Sequence, residues 1–118
     1  MTEIAASYLG VSVPASPFLN ETRIERINNG RYEGQELAGA LALVRPGDRV
    51  VEMGAGIGFV GAVVAQNVPD VHVLSFEANP ALIPHIQELY RLNALQDRIR
   101  IRNHTHAHPS LPRPLSPS

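Results

Sequence analysis

The 118-residue chain contains no cysteine and no lysine. The first absence excludes disulfides, thiolate nucleophiles and cysteine-ligated zinc, and it is compatible with a reducing compartment. The second leaves arginine as the cation at neutral pH. Ten arginines stand against eleven acids, for a net charge of -1. So even a balance gives no electrostatic footprint for nucleic acid or for an anionic membrane surface. The lack of lysine reads as a compositional bias of the source. No apolar run approaches the roughly 20 residues that a membrane-spanning helix needs. The first residues carry Glu3 and no basic stretch, unlike a secretory signal. A cytoplasmic location is the default expectation. Hydrophobic residues make up 44% of the chain, enough for one small packed domain.

Residues 1–21 are mixed and interrupted by Pro14 and Pro17, and are expected to form an irregular arm. Thr22 to Ile27 alternates weakly and predicts a short strand, with Asn28-Asn29-Gly30 as the turn after it. Tyr32 to Val44 is helical in character, with Leu37, Leu41 and Val44 on one face, and Arg45-Pro46-Gly47-Asp48 stops it. Arg49 to Met53 predicts a short apolar strand. Gly54 to Gly61 is a glycine-rich turn opening a helix that runs to about Asn67. Val71 to Phe76 predicts a second strand, with Glu77 at its end. Asn79-Pro80 reads as a cap followed by a first-turn proline, and the helix beyond carries Leu82, Ile86, Leu89 and Leu92 on one face. Arg98 to Arg102 alternates as a third strand.

This β–α–β–α–β order predicts an α/β fold, a parallel sheet of about three strands with right-handed crossovers and flanking helices. The folded part is expected to span residues 22–103. Residues 104–118 hold four prolines and three histidines with no strand or helix period, and are expected to be a disordered tail. His104, His106 and His108 alternate there, and read as incidental rather than as a metal site.

The chemistry lies in Val50-Val51-Glu52-Met53-Gly54-Ala55-Gly56-Ile57-Gly58. Glycines at alternate positions let the backbone turn sharply after a strand and let a ligand approach the main chain. The helix that follows offers free N–H groups at its start. Gly56, Gly58 and Gly61 also fit a G-x-G-x-x-G dinucleotide spacing, with Glu77 downstream. Glu52 separates the two readings. A carboxylate two residues before the first glycine would repel a pyrophosphate but suits a ligand bearing an ammonium group, such as S-adenosylmethionine.

The run V-V-E-x-G-x-G-x-G resembles motif I of class I (Rossmann-like) methyltransferases. The wider order also resembles the FkbM family. It comprises Gly30-Arg31-Tyr32-Glu33 before a helix, Arg-Pro-Gly-Asp, the glycine motif, Phe76-Glu77-Ala78-Asn79-Pro80, and a helix ending in Leu92-Asn93. The likeness covers about residues 22–103. It implies methyl transfer, usually to a hydroxyl oxygen, with S-adenosylmethionine as donor. On that resemblance Gly54, Ala55, Gly56 and Gly58 line the cofactor turn, Glu52 sits near the methionine end, and Glu77, with Ala78 beside it, takes the ribose. Tyr32, with Glu33, lies on the lead-in segment. A small-molecule or saccharide hydroxyl acceptor is implied, with no nucleic-acid or membrane partner.

A whole domain of that class has about seven strands in two halves around the ligand crevice, and three are expected here. The chain therefore reads as a truncated or frame-shifted N-terminal half with an exposed apolar edge prone to self-association, one that binds cofactor but lacks full activity. Two other readings stand beside it: a non-catalytic nucleotide-binding or partner-docking module, and a fragment of an NAD-dependent oxidoreductase. Taken singly, Glu52 could serve a structural pairing, Glu77 could be a solvated loop acid, and Tyr32 and Glu33 could merely start a helix.

Overall fold

Alternation builds the first element, and a turn with two left-handed residues closes it. The computed structural model describes residues 2–103. β1 (Ile4–Tyr8) and β2 (Val11–Pro14) pair antiparallel. Leu9 and Gly10 join them with φ of 49° and 81°, the left-handed pair that a two-residue primed hairpin turn demands. Residues 1–21 are therefore not an irregular arm. The hairpin buries Ala6, Val11 and Val13. Leucine in place of the usual asparagine or glycine at the first turn position concealed it.

Residues 22–27 form no strand but lie in α1 (Glu21–Asn28). The side chain of Asn20 accepts the Arg23 N–H at 2.8 Å, satisfying one of the free donors of a helix start. Ile24 and Ile27, one helical turn apart, face the core, and Ile27 is fully buried. Asn29 and Gly30 (φ 72°) end the helix as the sequence implies.

From there the order follows the sequence reading. It runs α2 (Gly34–Leu43), β3 (Arg49–Met53), α3 (Phe59–Asn67), β4 (His72–Glu77), a 3₁₀ turn at Pro80–Leu82, α4 (Ile83–Leu92) and β5 (Ile99–Asn103). The three later strands form a parallel sheet in the order β3-β4-β5. This is the α/β arrangement expected, with β3 at an edge.

α3 and α4 pack on one face of that sheet. Val73 and Ile99 on the strands, Phe59, Val63 and Val64 on α3, and Ile86 and Leu89 on α4 are all buried there. Each such aliphatic or aromatic side chain contributes about 1.5–3 kcal/mol on leaving water. The alternate strand residues point the other way, and there Val51 and Met53 remain 63% and 50% exposed. No helix among the described residues is long and apolar enough to cross a membrane. The tail histidines and the other residues of 104–118 lie outside the described residues.

Candidate functional site

The site forms where β3 and β4 end side by side. Met53 is level with Phe76 in the parallel register, so the turn leaving β3 passes the end of β4. The N–H groups of Gly54 and Ala55 both donate to the Phe76 carbonyl, at 2.8 and 2.9 Å. The chain then reverses through left-handed backbone at Gly54, Gly56 and Gly58, with φ of 74°, 60° and 84°. Only glycine adopts such angles without strain, which is why glycine recurs at alternate positions here. A side chain at Gly58 would in addition crowd Ile86, 3.0 Å from where its Cβ would lie.

Glu77 holds this turn. Its Oε1 accepts the Gly56 N–H at 2.8 Å and its Oε2 accepts the Asn79 N–H at 2.9 Å. The side-chain amide of Asn103, at the end of β5, donates to the carbonyls of Glu77 and Ala78. Glu77 is thus no loosely solvated loop acid. It joins the exit of β4 to the centre of the glycine turn. Ala55 is buried under the turn, and Ala78 is exposed beside it.

Glu52, near the end of neighbouring β3, lies on the helical side of the sheet with its register partner Ser75. Its Oε2 accepts the Gly61 N–H at 3.2 Å and its Oε1 accepts the Ser75 hydroxyl at 2.8 Å. Tyr90 of α4 donates to Ser75 Oγ at 3.4 Å. A carboxylate at the third residue of a helix complements the positive end of the helix dipole, so Glu52 fastens α3 to the sheet. A ligand would meet only the lone pairs left over. Gly61 is glycine for this reason, since a Cβ there would sit 2.7 Å from Glu52 Oε1. The apparent G-x-G-x-x-G spacing therefore reflects room for a carboxylate.

Burial pushes the Glu52 carboxyl above the ordinary carboxylate range; the Ser75 and Gly61 hydrogen bonds oppose this, and the charges of Glu33 and Glu77 add to it. Burial likewise raises Tyr90. Sequence reasoning missed Ser75 and Tyr90. A serine on the inward parity of an otherwise apolar strand was the available signal for the first, and only the packing of α4 reveals the second.

Tyr32 stands edge-on to Phe59, with ring centroids 5.9 Å apart at 74°, so the lead-in segment touches the residue directly after the glycine turn. Burial raises the Tyr32 hydroxyl, with Glu33 adding and Arg23 opposing. Glu33, the cap of α2, is itself left-handed at φ 47° and is raised by burial and by Glu36.

Two further acids, Glu33 and Glu77, thus add their charge to that of Glu52 around the turn. That field is hostile to a pyrophosphate and favours a ligand carrying positive charge, as a sulfonium and an ammonium do. There is also room for one. A Cβ placed on Gly54 or Gly56 would meet nothing within 4 Å, so the backbone there is open to close approach. These residues fit S-adenosylmethionine better than a dinucleotide.

Comparison with known proteins agrees. No curated protein matches the chain. Among solved structures, Pyrococcus horikoshii TYW2, in complex with MeSAdo, superposes with a TM-score of 0.61 over 90% of this chain and 36% of that one, at 20% identity. A methyltransferase from Geobacter sulfurreducens, bound to S-adenosyl-L-homocysteine, gives 0.51 over 59% and 28%, at 18% identity. The C-terminal domain of precorrin-6Y C5,15-methyltransferase from Rhodobacter capsulatus gives 0.55 over 63% and 40%, at 22% identity. At these identities the likeness concerns the fold, and the chain spans only 28% to 40% of those three proteins. The TRM5/TYW2 methyltransferase domain model matches residues 22–108. The match is to this family and not to FkbM, although both readings name the same methyl donor. With three quarters of its length inside that match, the chain belongs to the TRM5/TYW2 family of S-adenosylmethionine-dependent methyltransferases.

Proposed function

We propose that this chain provides the cofactor-binding part of a cytoplasmic methyltransferase, and that Gly54, Gly56, Gly58 and Glu77 hold S-adenosylmethionine. The observation that carries the reading is the bond from Gly56 N–H to Glu77 Oε1 across a turn whose outer side is open. A carboxylate accepts up to about four hydrogen bonds, and each Glu77 oxygen uses one, so the acid retains capacity for the two hydroxyls of a ribose. Glu52 serves by fixing α3, and therefore the turn, in place. Tyr32 walls the site through Phe59. The cofactor, when bound, supplies an activated methyl group on a sulfonium centre. The protein's own contribution is to orient it and to exclude water.

The acceptor is the finer question. The TRM5/TYW2 match favours a tRNA-type acceptor, whereas the motif order resembles a family acting on hydroxyl oxygen. We favour the first because the family match is to TRM5/TYW2, and we place the acceptor-binding groups outside this chain, which spans only 28% to 40% of the solved relatives. On this reading the chain alone binds cofactor without turnover.

The test is a ¹⁵N–¹H correlation spectrum titrated with S-adenosylhomocysteine. Shifts confined to residues 54–58 and to Glu77, with affinity at least tenfold weaker in Glu77→Ala, are expected. A well-dispersed spectrum that does not respond, or equal affinity in the variant, would sink the assignment.

A further inference from the structure

We propose that Ser75 and Tyr90 are positioning residues for the cofactor, because together they hold Glu52 as a charged acceptor beside the glycine turn. The inference rests on the cofactor reading given above and adds to it two residues that act through Glu52 alone. Both are enclosed where the sheet meets α4. Ser75 is fully buried and Tyr90 is 2% exposed. Ser75 is the register partner of Glu52, and its hydroxyl lies 2.8 Å from Glu52 Oε1. The Tyr90 hydroxyl donates to Ser75 Oγ at 3.4 Å and, among the described residues, meets no other partner.

Proton counting gives this chain of hydroxyls a direction. Serine and tyrosine each own one hydroxyl proton. Burial keeps the Tyr90 phenol protonated, so its proton goes to Ser75 and the Ser75 proton goes on to Glu52. From α3 the Gly61 N–H points at Oε2 from 3.2 Å. Each carboxylate oxygen therefore faces a donor. A proton added to Oε1 would put three hydroxyl protons on two contacts, Glu52 to Ser75 and Ser75 to Tyr90, and leave one without an acceptor. A proton added to Oε2 would compete with the Gly61 N–H. Donors aimed at the charged form favour ionisation, and here they oppose burial and the charges of Glu33 and Glu77. The groups acting on Glu52 are thus Ser75 and Glu77 of β4, Tyr90 of α4, the Gly61 N–H of α3 and Glu33 at the cap of α2. None is a cation, so the hydroxyl chain does what an arginine does elsewhere. It keeps negative charge near the turn for a ligand that carries an ammonium group.

The experiment titrates the full chain, native and Tyr90→Phe, with S-adenosylhomocysteine across pH, and follows the Glu52 carboxyl carbon by ¹³C NMR. Phenylalanine keeps the ring and removes only the donor. The Glu52 titration midpoint should rise in the variant. Its affinity for the ligand should be roughly threefold weaker than native at about pH 5.5 and within about twofold at about pH 8, where the carboxyl is ionised in both. A turn loosened by poor packing would instead bind less well at every pH. Ser75→Ala is the second variant. It should also raise the midpoint, and adding Tyr90→Phe to it should change nothing more, because Tyr90 reaches Glu52 only through Ser75. An unchanged midpoint in Tyr90→Phe would overturn the proposal, as would an affinity loss equal at both ends of the pH range or additive midpoint shifts in the double variant. A native chain whose Glu52 titrates as described but whose resonances ignore the ligand would sink the cofactor assignment, and this proposal would fall with it.

Discussion

The two faces of the three-stranded sheet are made of the same strands, yet they obey opposite rules. On the helical face, Val73 and Ile99 are 3% exposed and even the polar Ser75 is fully buried, because its hydroxyl reaches Glu52. On the other face, one residue away along each strand, Val51 and Met53 are in water. Strand alternation thus fixes which residues share a face, while the covering layer decides whether that face stabilises the fold.

The sharpest way to break the contrast is at Phe59, which is 1% exposed between the sheet and Tyr32. Phe59→Ala should cost about 3–5 kcal/mol in denaturant unfolding, the usual range for a buried aromatic. Next comes Gly61→Ala. Its new methyl would meet Glu52 Oε1 at 2.7 Å, so the carboxylate must shift; its weakened hydrogen bonds, less the roughly 0.5–1 kcal/mol that alanine gains over glycine inside a helix, should leave a net cost of about 1 kcal/mol. In a double-mutant cycle with Glu52→Ala the two effects should fail to add; additive losses would show that Glu52 is not what Gly61 accommodates.

Glu52 also gives the helical face a pH signature. Burial raises its folded carboxyl above the ordinary value of 4.5, so the native chain holds this proton more tightly than the unfolded one. The sign follows: stability from this group is full below 4.5 and falls as pH rises from there through the raised folded value. Midpoints measured across that window should decline in the native chain and decline less steeply in Glu52→Gln, where the raised Glu33 keeps part of the slope; the same slope in both would remove Glu52 as a cause. The smallest effect belongs to the open face. Val51→Thr, at 63% exposure, should change stability by less than about 0.5 kcal/mol. A larger loss would mean that the face is already covered.

These contrasts explain what was readable in sequence. The glycine turn was legible because left-handed backbone at 54, 56 and 58 demands a residue type, so physics writes itself into the spacing. β3, β4 and β5 were found within a residue or so because each is an apolar or alternating run between breakers. α1 was misread because its polar residues interleave with Ile24 and Ile27 in a pattern that imitates a strand, although Asn20 was a legible cap. Glu52 and Glu77 were identified as a pair flanking the turn, but their partners were not. The bonds from Glu52 to Ser75 and from Glu77 to Gly56 span more than twenty residues, and only the parallel register brings them together. FkbM membership was inferred from motif order along the chain, whereas the family match falls on TRM5/TYW2.

One detail of the N-terminal hairpin gains meaning beside the open β3 edge. Ser7 and Ser12 lie opposite each other and turn their peptide groups outward. Asn28 accepts the Ser7 N–H at 2.9 Å; Asn93 accepts the Ser12 N–H at 2.8 Å and donates to the Ser12 carbonyl at 2.7 Å. A carboxamide carries the same donor and acceptor as a peptide bond, so Asn93 stands in for one residue of a missing neighbouring strand, while Asn28 supplies the acceptor alone. The hairpin is in effect a four-ply ribbon whose outer plies are single side chains, sealed against recruiting another chain. Replacing either amide with an isosteric leucine would therefore be expected to unseal it, and the protein would gain a second site of unwanted assembly without losing a single strand.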